Sequence, residues 1–421
     1  MIHINITSHS VLYLLGFFII FYLIIRAYFR IKMHFWHTQP VFHIYNLKYW
    51  LNPPGFINNE PPPLNKFVNL INNKLIQVSN ELIDSKDNSK DETGIIIKKV
   101  CQFIRDYYII HNSATYKPSD QDIISYLQCS NHSSFINIYQ ESTLVFSPIN
   151  NDGPEIIGVI TTRVLNVSIR YNKDKKAFPV YYVDHLCVKP GYRKKGISPE
   201  MIQTFYYTMA RTNSKVNAYM FKREGQLTAI VPLVYYDTYS FDITHLNLNL
   251  TSTNEYLLHA SMNVIEIGVQ QLNLVSSFIK EQKHKFDCIV LPDVSSVINL
   301  IKLGKIKIYG IIFNTNLIAI YVFRIIELYY SNKKTIECFL ILSTCKTNDV
   351  LIRGFKTSLI KLSKITSFDI VFIENTAHSN SIINDLLKNP LVQCNFKSPT
   401  AFFLYNYAAY SVKNTKSLLF Y

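Results

Sequence analysis

The sequence predicts an α+β protein of two similar halves behind an N-terminal apolar helix. Three observations predict it. An order of strands, helix, strand, helix, strand occurs twice along the chain. Hydrophobic residues make up 48% and charged residues 17% of the 421 residues, which supplies a large core and argues against disorder. Residues Val11 to Ile25 (VLYLLGFFIIFYLII) carry no charge. With Ala27, Tyr28 and Phe29 that run approaches the ~20 residues that cross a bilayer.

The elements follow in order. Residues 1–10 contain no Lys or Arg, whereas Arg26, Arg30 and Lys32 follow the apolar run. A cleaved signal peptide has the opposite polarity. The basic flank on the C-terminal side predicts a single-pass membrane helix over 11–29, a short non-cytoplasmic end at 1–10 and a cytoplasmic body. Residues 30–94 read as an extended arm and linker. They hold Phe35-Trp36-His37-Thr38-Gln39-Pro40-Val41, then Pro53, Pro54 and Pro61 to Pro63, and end in a polar surface loop from Asp84 to Gly94.

An N-terminal half is expected over 95–245. It opens with a helix from Ile95 to Tyr108, then strands at Phe135–Tyr139, Ile156–Arg170 with a bend, and Val180–Val188. A loop with Gly191 and Gly196 feeds a helix from Pro199 to Ala210. Its Ile202, Phe205, Tyr206 and Met209 line one face. Ser198 reads as the N-cap and Pro199 as the first helical residue. A strand at Val216–Phe221 follows. The C-terminal half, 246–421, repeats the order. Its strands are Lys305–Phe313, Leu317–Ile326 and Thr335–Ser343, then a helix at Val350–Lys364 and a strand at Phe368–Ile373. A helix at Ser381–Leu387 and a strand at Ala401–Tyr407 complete it.

Composition narrows the function. Lys and Arg number 43 against 29 Asp and Glu, a formal charge of +14, which calls for an anionic partner. Nucleic acid, a membrane surface and a phosphorylated cofactor all satisfy it, but the charge is diffuse and no nucleic-acid motif accompanies it. Only 12 glycines are present and none falls in G-x-G-x-x-G, which excludes a dinucleotide loop of that kind. The seven cysteines form no C-x-x-C pair, so neither a zinc ribbon nor a redox pair is supported, and no metal site is expected. They read as buried thiols of a reducing compartment.

One segment carries chemistry. Val183-Asp184-His185-Leu186-Cys187-Val188 is a strand that enters Lys189-Pro190-Gly191-Tyr192-Arg193-Lys194-Lys195-Gly196, which feeds Ile197-Ser198-Pro199. Backbone N–H groups at a helix start, with basic side chains around them, suit a pyrophosphate. Gly196 lets the backbone approach closely. Cys187, on a strand, reads as a core side chain. Asp184 and His185 are adjacent on that strand and point to opposite faces, which argues against an acid–base pair.

This segment resembles the acetyl-CoA-binding signature of the GNAT acyltransferase fold. Over a longer stretch the chain resembles protein N-myristoyltransferases. Asp184-His185-Leu186-Cys187-Val188 through Pro199 is similar to that family's N-F-L-C-V…R-S-K-R-L-A-P, and Phe35–Val41 to its F-W-x-T-Q-P-V. Ile156–Ile169 is similar to its L-V-G-F-I-S…I-H-I strand pair and Phe372-Ile373-Glu374-Asn375 to its L-M-E-N. Phe403-Leu404-Tyr405-Asn406-Tyr407 is similar to Y-L-Y-N-W, and Leu418-Leu419-Phe420-Tyr421 to the family's apolar C-terminal tail.

The resemblance implies tandem GNAT-like halves in one pseudo-symmetric unit. It implies transfer of myristoyl from myristoyl-CoA to the N-terminal glycine of a protein, without metal. It places CoA against Phe35, Trp36, Leu186, Cys187, Val188, Arg193, Lys194, Lys195, Gly196, Ile197, Ser198 and Pro199. It assigns the oxyanion donors to the backbone of His185 and Leu186, and the base to the α-carboxylate of Tyr421. The acceptor would meet Tyr219, Tyr235, Asp237, Asn375 and Tyr405.

The acceptor side departs from the pattern. The stretch Tyr108 to Tyr116 lacks the family's acidic run, Tyr219-Met220-Phe221-Lys222 replaces its Y-T-A-G, and Asp237 replaces the histidine of its Y-W-H-R-S. Leu342-Ser343-Thr344-Cys345-Lys346 offers no second Arg-x-x-Gly loop, so one CoA site is expected. Two further readings stay open: a GNAT acyltransferase with another acceptor, and a non-catalytic membrane or assembly protein. The Ile-, Asn-, Lys- and Tyr-rich, Gly-poor composition is that of an AT-rich genome such as a large DNA virus or a parasite.

Overall fold

The computed structural model describes residues 8–78, 92–109, 113–141, 154–171, 174–225, 229–246, 258 and 261–421. The expected N-terminal end lies mostly outside the described residues, as does most of the loop from Asp84 to Gly94. In the first part of the chain the elements are α1 Ser8–Lys32, α2 His34–His37, α3 Leu47–Leu51 and β1 Asn73–Val78. Next come α4 Glu92–Tyr107, α5 Asp120–Gln128, β2 Ser134–Gln140, β3 Ile156–Tyr171, β4 Asp174–Val188, α6 Ile197–Thr212, β5 Tyr219–Glu224 and β6 Val234–Asp242. The second half holds β7 Met262–Glu266, α7 Leu272–Gln282, β8 Cys288–Leu291, α8 Val294–Lys302, β9 Ile306–Phe313, β10 Asn316–Tyr330 and β11 Lys333–Ser343. It ends with α9 Asn348–Ser363, β12 Ile370–Glu374, α10 Asn380–Lys388, β13 Gln393–Tyr405 and β14 Ser417–Leu419.

One mixed sheet runs through the body in the order β14-β8-β3-β4-β5-β13-β6-β12-β11-β10-β9-β7, and β2 joins β1 to β3 at its side. In each half three antiparallel strands lead into a helix and then a parallel strand. β4 and β5 pair in parallel across α6, and β11 and β12 across α9. The seam between the halves is an exchange of strands. β13, from the end of the chain, lies beside β5, while β6 of the first half lies beside β12. Each half is therefore completed by the other, and the expected pair of similar halves forms one unit.

Helices cover both faces of the sheet. α6 packs Met201, Phe205, Tyr206 and Met209 on Ile160, Tyr181, Tyr219 and Phe403. α9 and α10 pack Leu351, Phe355, Leu359 and Ile383 on Ile336, Cys338, Val371 and Ile373. α4 and α5 cover Ile136, Ile138 and Val159. Each such side chain, fully buried, contributes about 1.5–3 kcal/mol.

Several expected boundaries shift. The arm is not extended throughout: Asn73–Val78 adds a strand to β2, and residues 92–94 already belong to α4. Ser198 does not cap α6. Gly196 does, at φ +86°, and the helix begins at Ile197 with no side-chain cap. The loop needs a left-handed residue at that corner, and glycine supplies it without strain. Gly354 on α9 is a close-approach glycine. A Cβ there would lie 2.5 Å from the Tyr321 hydroxyl and nearer still to Ile311. Tyr321 also donates to the Leu351 carbonyl of α9 at 2.7 Å. We expect Gly354→Val to lower stability by about 1–3 kcal/mol through overpacking, read from the urea midpoint.

Candidate active site

β4 pairs with β3 from Gly158–Val188 to Tyr171–Asp174. With β5 it pairs only through Tyr181–Tyr219, Tyr182–Met220 and Val183–Phe221. Past Val183 the two strands part. A bulge marks the place: Thr161 faces His185 and Thr162 faces Val183, so Asp184 is the extra residue and the strand bends there. Arg163 fixes the bulge by gripping Asp184 through Nε (2.9 Å) and Nη2 (3.3 Å). Lys189 N–H donates to the Ile157 carbonyl of β3 at 2.9 Å. Alternation along an antiparallel ladder then turns the N–H groups of Leu186 and Val188 into the gap, and that of His185 toward β3.

An apolar cavity of about 290 Å³ lies on one side of the gap, lined by Trp36, Leu186, Ile202, Phe205, Tyr219 and Phe221, with Tyr405 behind them. Trp36 stacks on Phe221 with ring centroids 5.9 Å apart. His43 Nε2 donates to the Trp36 carbonyl at 2.8 Å. The following residues are tied to the end of β13: the Tyr405 hydroxyl donates to Gln39 at 2.6 Å and Asn406 N–H to the Pro40 carbonyl at 2.7 Å. A polar cavity of about 460 Å³ lies on the other side, among Tyr108, Tyr116, Arg163, His185, Lys222, Arg324, Glu337 and Tyr421. Tyr108, Val183, Asp184 and Lys222 border both cavities. A further cavity of about 460 Å³, by Arg170, Lys176, Tyr407 and Lys413, shares no residue with either and lies apart from this chemistry.

Below the gap, β4 runs into the basic loop. Lys194 (φ +65°) and Gly196 (φ +86°) are both left-handed. Among the described residues the amides of Lys194 through Ser198 meet no protein acceptor, so they form a concave set of donors at the α6 N-terminus. Pro199 has no N–H to add. Lys194 and Lys195 are exposed. Arg193 is exposed too, but its guanidinium acts as a clasp, donating to the Val188 carbonyl at 3.0 Å and the Tyr107 carbonyl at 3.2 Å.

The polar cavity is floored by a buried ionic network. Lys222 Nζ lies 2.7 Å from Glu374, 3.2 Å from Glu224 and 3.6 Å from Glu337, and donates to the Tyr421 hydroxyl at 3.0 Å. That hydroxyl donates to Glu374 at 2.6 Å. Arg324 binds Glu337 at 3.0 Å and also donates to the main-chain oxygen of Tyr421. Burial raises the Glu374 carboxyl above its ordinary range despite the Lys222 charge. Burial pushes Glu337 the same way, but Arg324 and Lys222 outweigh it and hold it low. Burial opposes the Lys222 charge, yet Glu374 and its neighbours keep it firmly protonated.

His185 lines this cavity. Its Nδ1 is 2.7 Å from the Thr161 hydroxyl, and its ring meets Tyr108 edge-on at 4.7 Å. Burial lowers its pKa, with Asp184 pulling up and Arg163 down, so the imidazole is neutral at pH 7. Burial raises Cys187 to about 12, which makes it the inert core thiol expected.

The structure thus gathers Trp36, Leu186, Tyr219 and Tyr405 at the apolar cavity, and His185 and Tyr421 at the polar one. Phe35 is buried against Phe67 behind Trp36. Tyr235, Asp237 and Asn375 are not brought to either cavity. Tyr235 is exposed, Asp237 pairs with Lys397 at 3.1 Å, and Asn375 N–H donates to the Asp237 carbonyl at 2.9 Å. They belong to the β6–β12 seam, because β6 crosses into the other half. Of the stretch aligned with the family's acidic run, residues 110–112 lie outside the described ones, while Tyr108 and Tyr116 line the polar cavity. Arg163, Arg324 and Glu337 were not singled out by sequence reasoning. The available signal was a charge inside an otherwise apolar strand, as in VITTRVL and IYVFRII.

No family model matches this chain, and no curated protein matches it in sequence. Solved structures do match. Saccharomyces cerevisiae N-myristoyltransferase with bound myristoyl-CoA superposes with a TM-score of 0.65 at 12% identity, over 93% of this chain and 95% of the other. A second structure of that yeast enzyme gives 0.63 at 13%, over 90% and 94%. A tandem GNAT protein from the clavulanic acid biosynthesis pathway gives 0.50 at 11%, over 81% and 100%. The chain therefore has the tandem GNAT fold. Its form of that fold is the one seen in N-myristoyltransferases.

Removing Lys222 alone leaves the buried Glu374 carboxylate without its cation, whereas Glu337 keeps Arg324. We expect Lys222→Met to cost about 3–5 kcal/mol in urea unfolding, and the double variant Lys222→Met/Glu374→Leu to recover most of that loss.

Proposed function

We propose that the protein is an acyl-CoA-dependent N-acyltransferase that moves myristoyl from myristoyl-CoA to the N-terminal glycine of a protein. We further propose that α1 anchors it in a membrane with the body on the cytoplasmic side. The observation that carries the activity is the position of the Leu186 N–H, in a gap with an apolar cavity on one side and a polar cavity on the other. One described helix, over Val11–Lys32, is long and apolar enough to cross a bilayer.

Acyl transfer from a thioester passes through a tetrahedral oxyanion. A fixed N–H aimed at that oxygen stabilises it by about 2.7–4 kcal/mol in a site that excludes water. In this reading Leu186 supplies the donor, with His185 next to it at the bulge. The acyl chain lies beside Trp36, Ile202 and Phe221. The CoA pyrophosphate rests on the amides of Lys194 through Ser198, with Lys194 and Lys195 adding charge and Arg193 holding the loop closed. The acceptor amine enters from the polar cavity.

That amine has a pKa near ~8 and must lose a proton before it attacks. The α-carboxylate of Tyr421 is the base implied by the family resemblance. Here Arg324 donates to Tyr421's main-chain oxygen, which occupies that oxygen with a hydrogen bond. The neutral imidazole of His185 faces the same cavity and is the better base, so proton uptake is assigned to it. A second reading rests on Lys222. Its ammonium stands at the gap where the resemblance expects small residues, which favours an amine acceptor other than glycine.

Titration with myristoyl-CoA followed by mass spectrometry of Gly-terminated peptides, lysine peptides and small amines tests both readings. Saturable binding and one acyl group on the N-terminal glycine are expected; binding without transfer to any amine would sink the enzymatic reading. His185→Gln should lower kcat by about 10²–10⁴-fold with little change in KM for acyl-CoA. The wild-type rate should fall as pH drops through a pKa below the ordinary ~6.5, as the imidazole becomes protonated. An acid limb that persists in His185→Gln would return the role to Tyr421.

A further inference from the structure

A soluble surface rarely groups large apolar side chains, yet here they cluster where α1 leaves the body. Ile44 is 44% exposed, Leu47 59%, Trp50 44% and Leu51 83%, and Leu64 is 66% exposed on the neighbouring loop. They are firmly held. Trp50 Nε1 donates to the Ile44 carbonyl at 2.8 Å, which satisfies its polar atom and leaves an apolar ring. That ring rests 4.9 Å from Phe42, a fully buried residue. The Tyr410 hydroxyl contacts the carbonyls of Trp50 and Leu51 at 2.9 and 3.1 Å, which ties α3 to the end of the chain.

Three contacts fix where this face lies, one to α1 and two to α2 directly after it. Phe29, one turn before the end of α1, stacks on Tyr45 with centroids 5.6 Å apart. On the other side Phe67 meets Phe35 at 5.2 Å, and Lys66 Nζ lies 2.6 Å from His34. The α3 segment therefore lies by the end of α1 and the 64–67 loop by α2, at the level where a spanning helix enters the headgroup layer.

The charge is mostly of one sign. Across residues 26–66 the cations Arg26, Arg30, Lys32, Lys48 and Lys66 face a single acid, Glu60. Leu and Trp side chains among basic residues are the chemistry of a bilayer interface, and the cations favour anionic headgroups.

We propose that Ile44, Leu47, Trp50, Leu51 and Leu64 form a second membrane contact, a face that rests in the headgroup layer of an anionic bilayer beside α1. This rests on the reading of α1 as a membrane span. The consequence for the cleft is direct. Trp36 lines the apolar cavity four residues beyond α1, so a docked body holds that cavity at the bilayer surface, where a lipid-like acyl chain is concentrated.

The chain has two tryptophans, Trp36 and Trp50, which makes depth measurable in the full-length protein. It is reconstituted in phosphatidylcholine–phosphatidylserine vesicles that carry bromine on the acyl chains. Flotation reports the span; quenching of tryptophan emission reports the face. Wild type should float and be quenched, and the quenched fraction should fall by more than half in Trp50→Phe. Leu51→Glu, at an exposed position, should still float but show red-shifted emission and weakened quenching. A wild type that fails to float removes the span and this proposal together. Flotation with equal quenching in wild type and Trp50→Phe leaves the span standing and overturns the docked face. Loss of a dimer in Leu51→Glu with quenching unchanged assigns the face to a second copy of the chain and likewise overturns it.

Discussion

The cleft exists because β4 and β5 stop pairing after Val183 and Phe221. An open ladder leaves buried N–H groups without partners, at about 1–3 kcal/mol each. Three arrangements keep it open. Arg163 grips the bulged Asp184 and turns β4 away. Trp36 wedges against Phe221 from the apolar side. Lys222, one residue past the last paired position on β5, is pulled to the opposite side by Glu374 and Glu337. The same parting that costs backbone hydrogen bonds turns the Leu186 amide toward two cavities of opposite character.

The electrostatics of the two sides differ in the same sense. The loop from Lys194 to Ser198 offers donors and exposed cations suited to a polyanion. The polar cavity sets Arg163, Arg324 and Lys222 against Asp184, Glu337 and Glu374, with Glu224, Asp122 and Glu327 in addition. A chain of formal charge +14 therefore does not spread that charge evenly. The acid-free first 59 residues and the basic loop hold much of the excess, whereas around the polar cavity carboxylates outnumber cations.

Much of the architecture was legible in the sequence because it is local. Periodicity located α6, β3, β4 and β9 through β12 to within a few residues at most ends. The α6 cap was misplaced because a left-handed glycine, not a serine hydroxyl, turns the corner at Gly196. β6 was missed because Asp237, Thr238 and Ser240 interrupt its apolar alternation, although Thr238 and Ser240 are buried by β12 and β13. At the cleft, the basic loop was legible as one continuous segment. The ionic network was not. Its charges at 163, 222, 324, 337 and 374 sit on five different strands and meet only after the halves interlock.

That interlock orders events in time. β5 lacks its outer neighbour until β13 arrives, some 170 residues later in the chain. A ribosome-bound intermediate therefore carries an unpaired inner strand while those residues are made, exposed to the mispairing that open edges invite. α1 precedes every strand of the sheet in the chain, so on the proposed reading of α1 as a membrane anchor the growing chain is held at the bilayer while that edge waits. A tether that keeps nascent copies apart along a surface lowers their chance of pairing with one another before their own last strand closes the sheet.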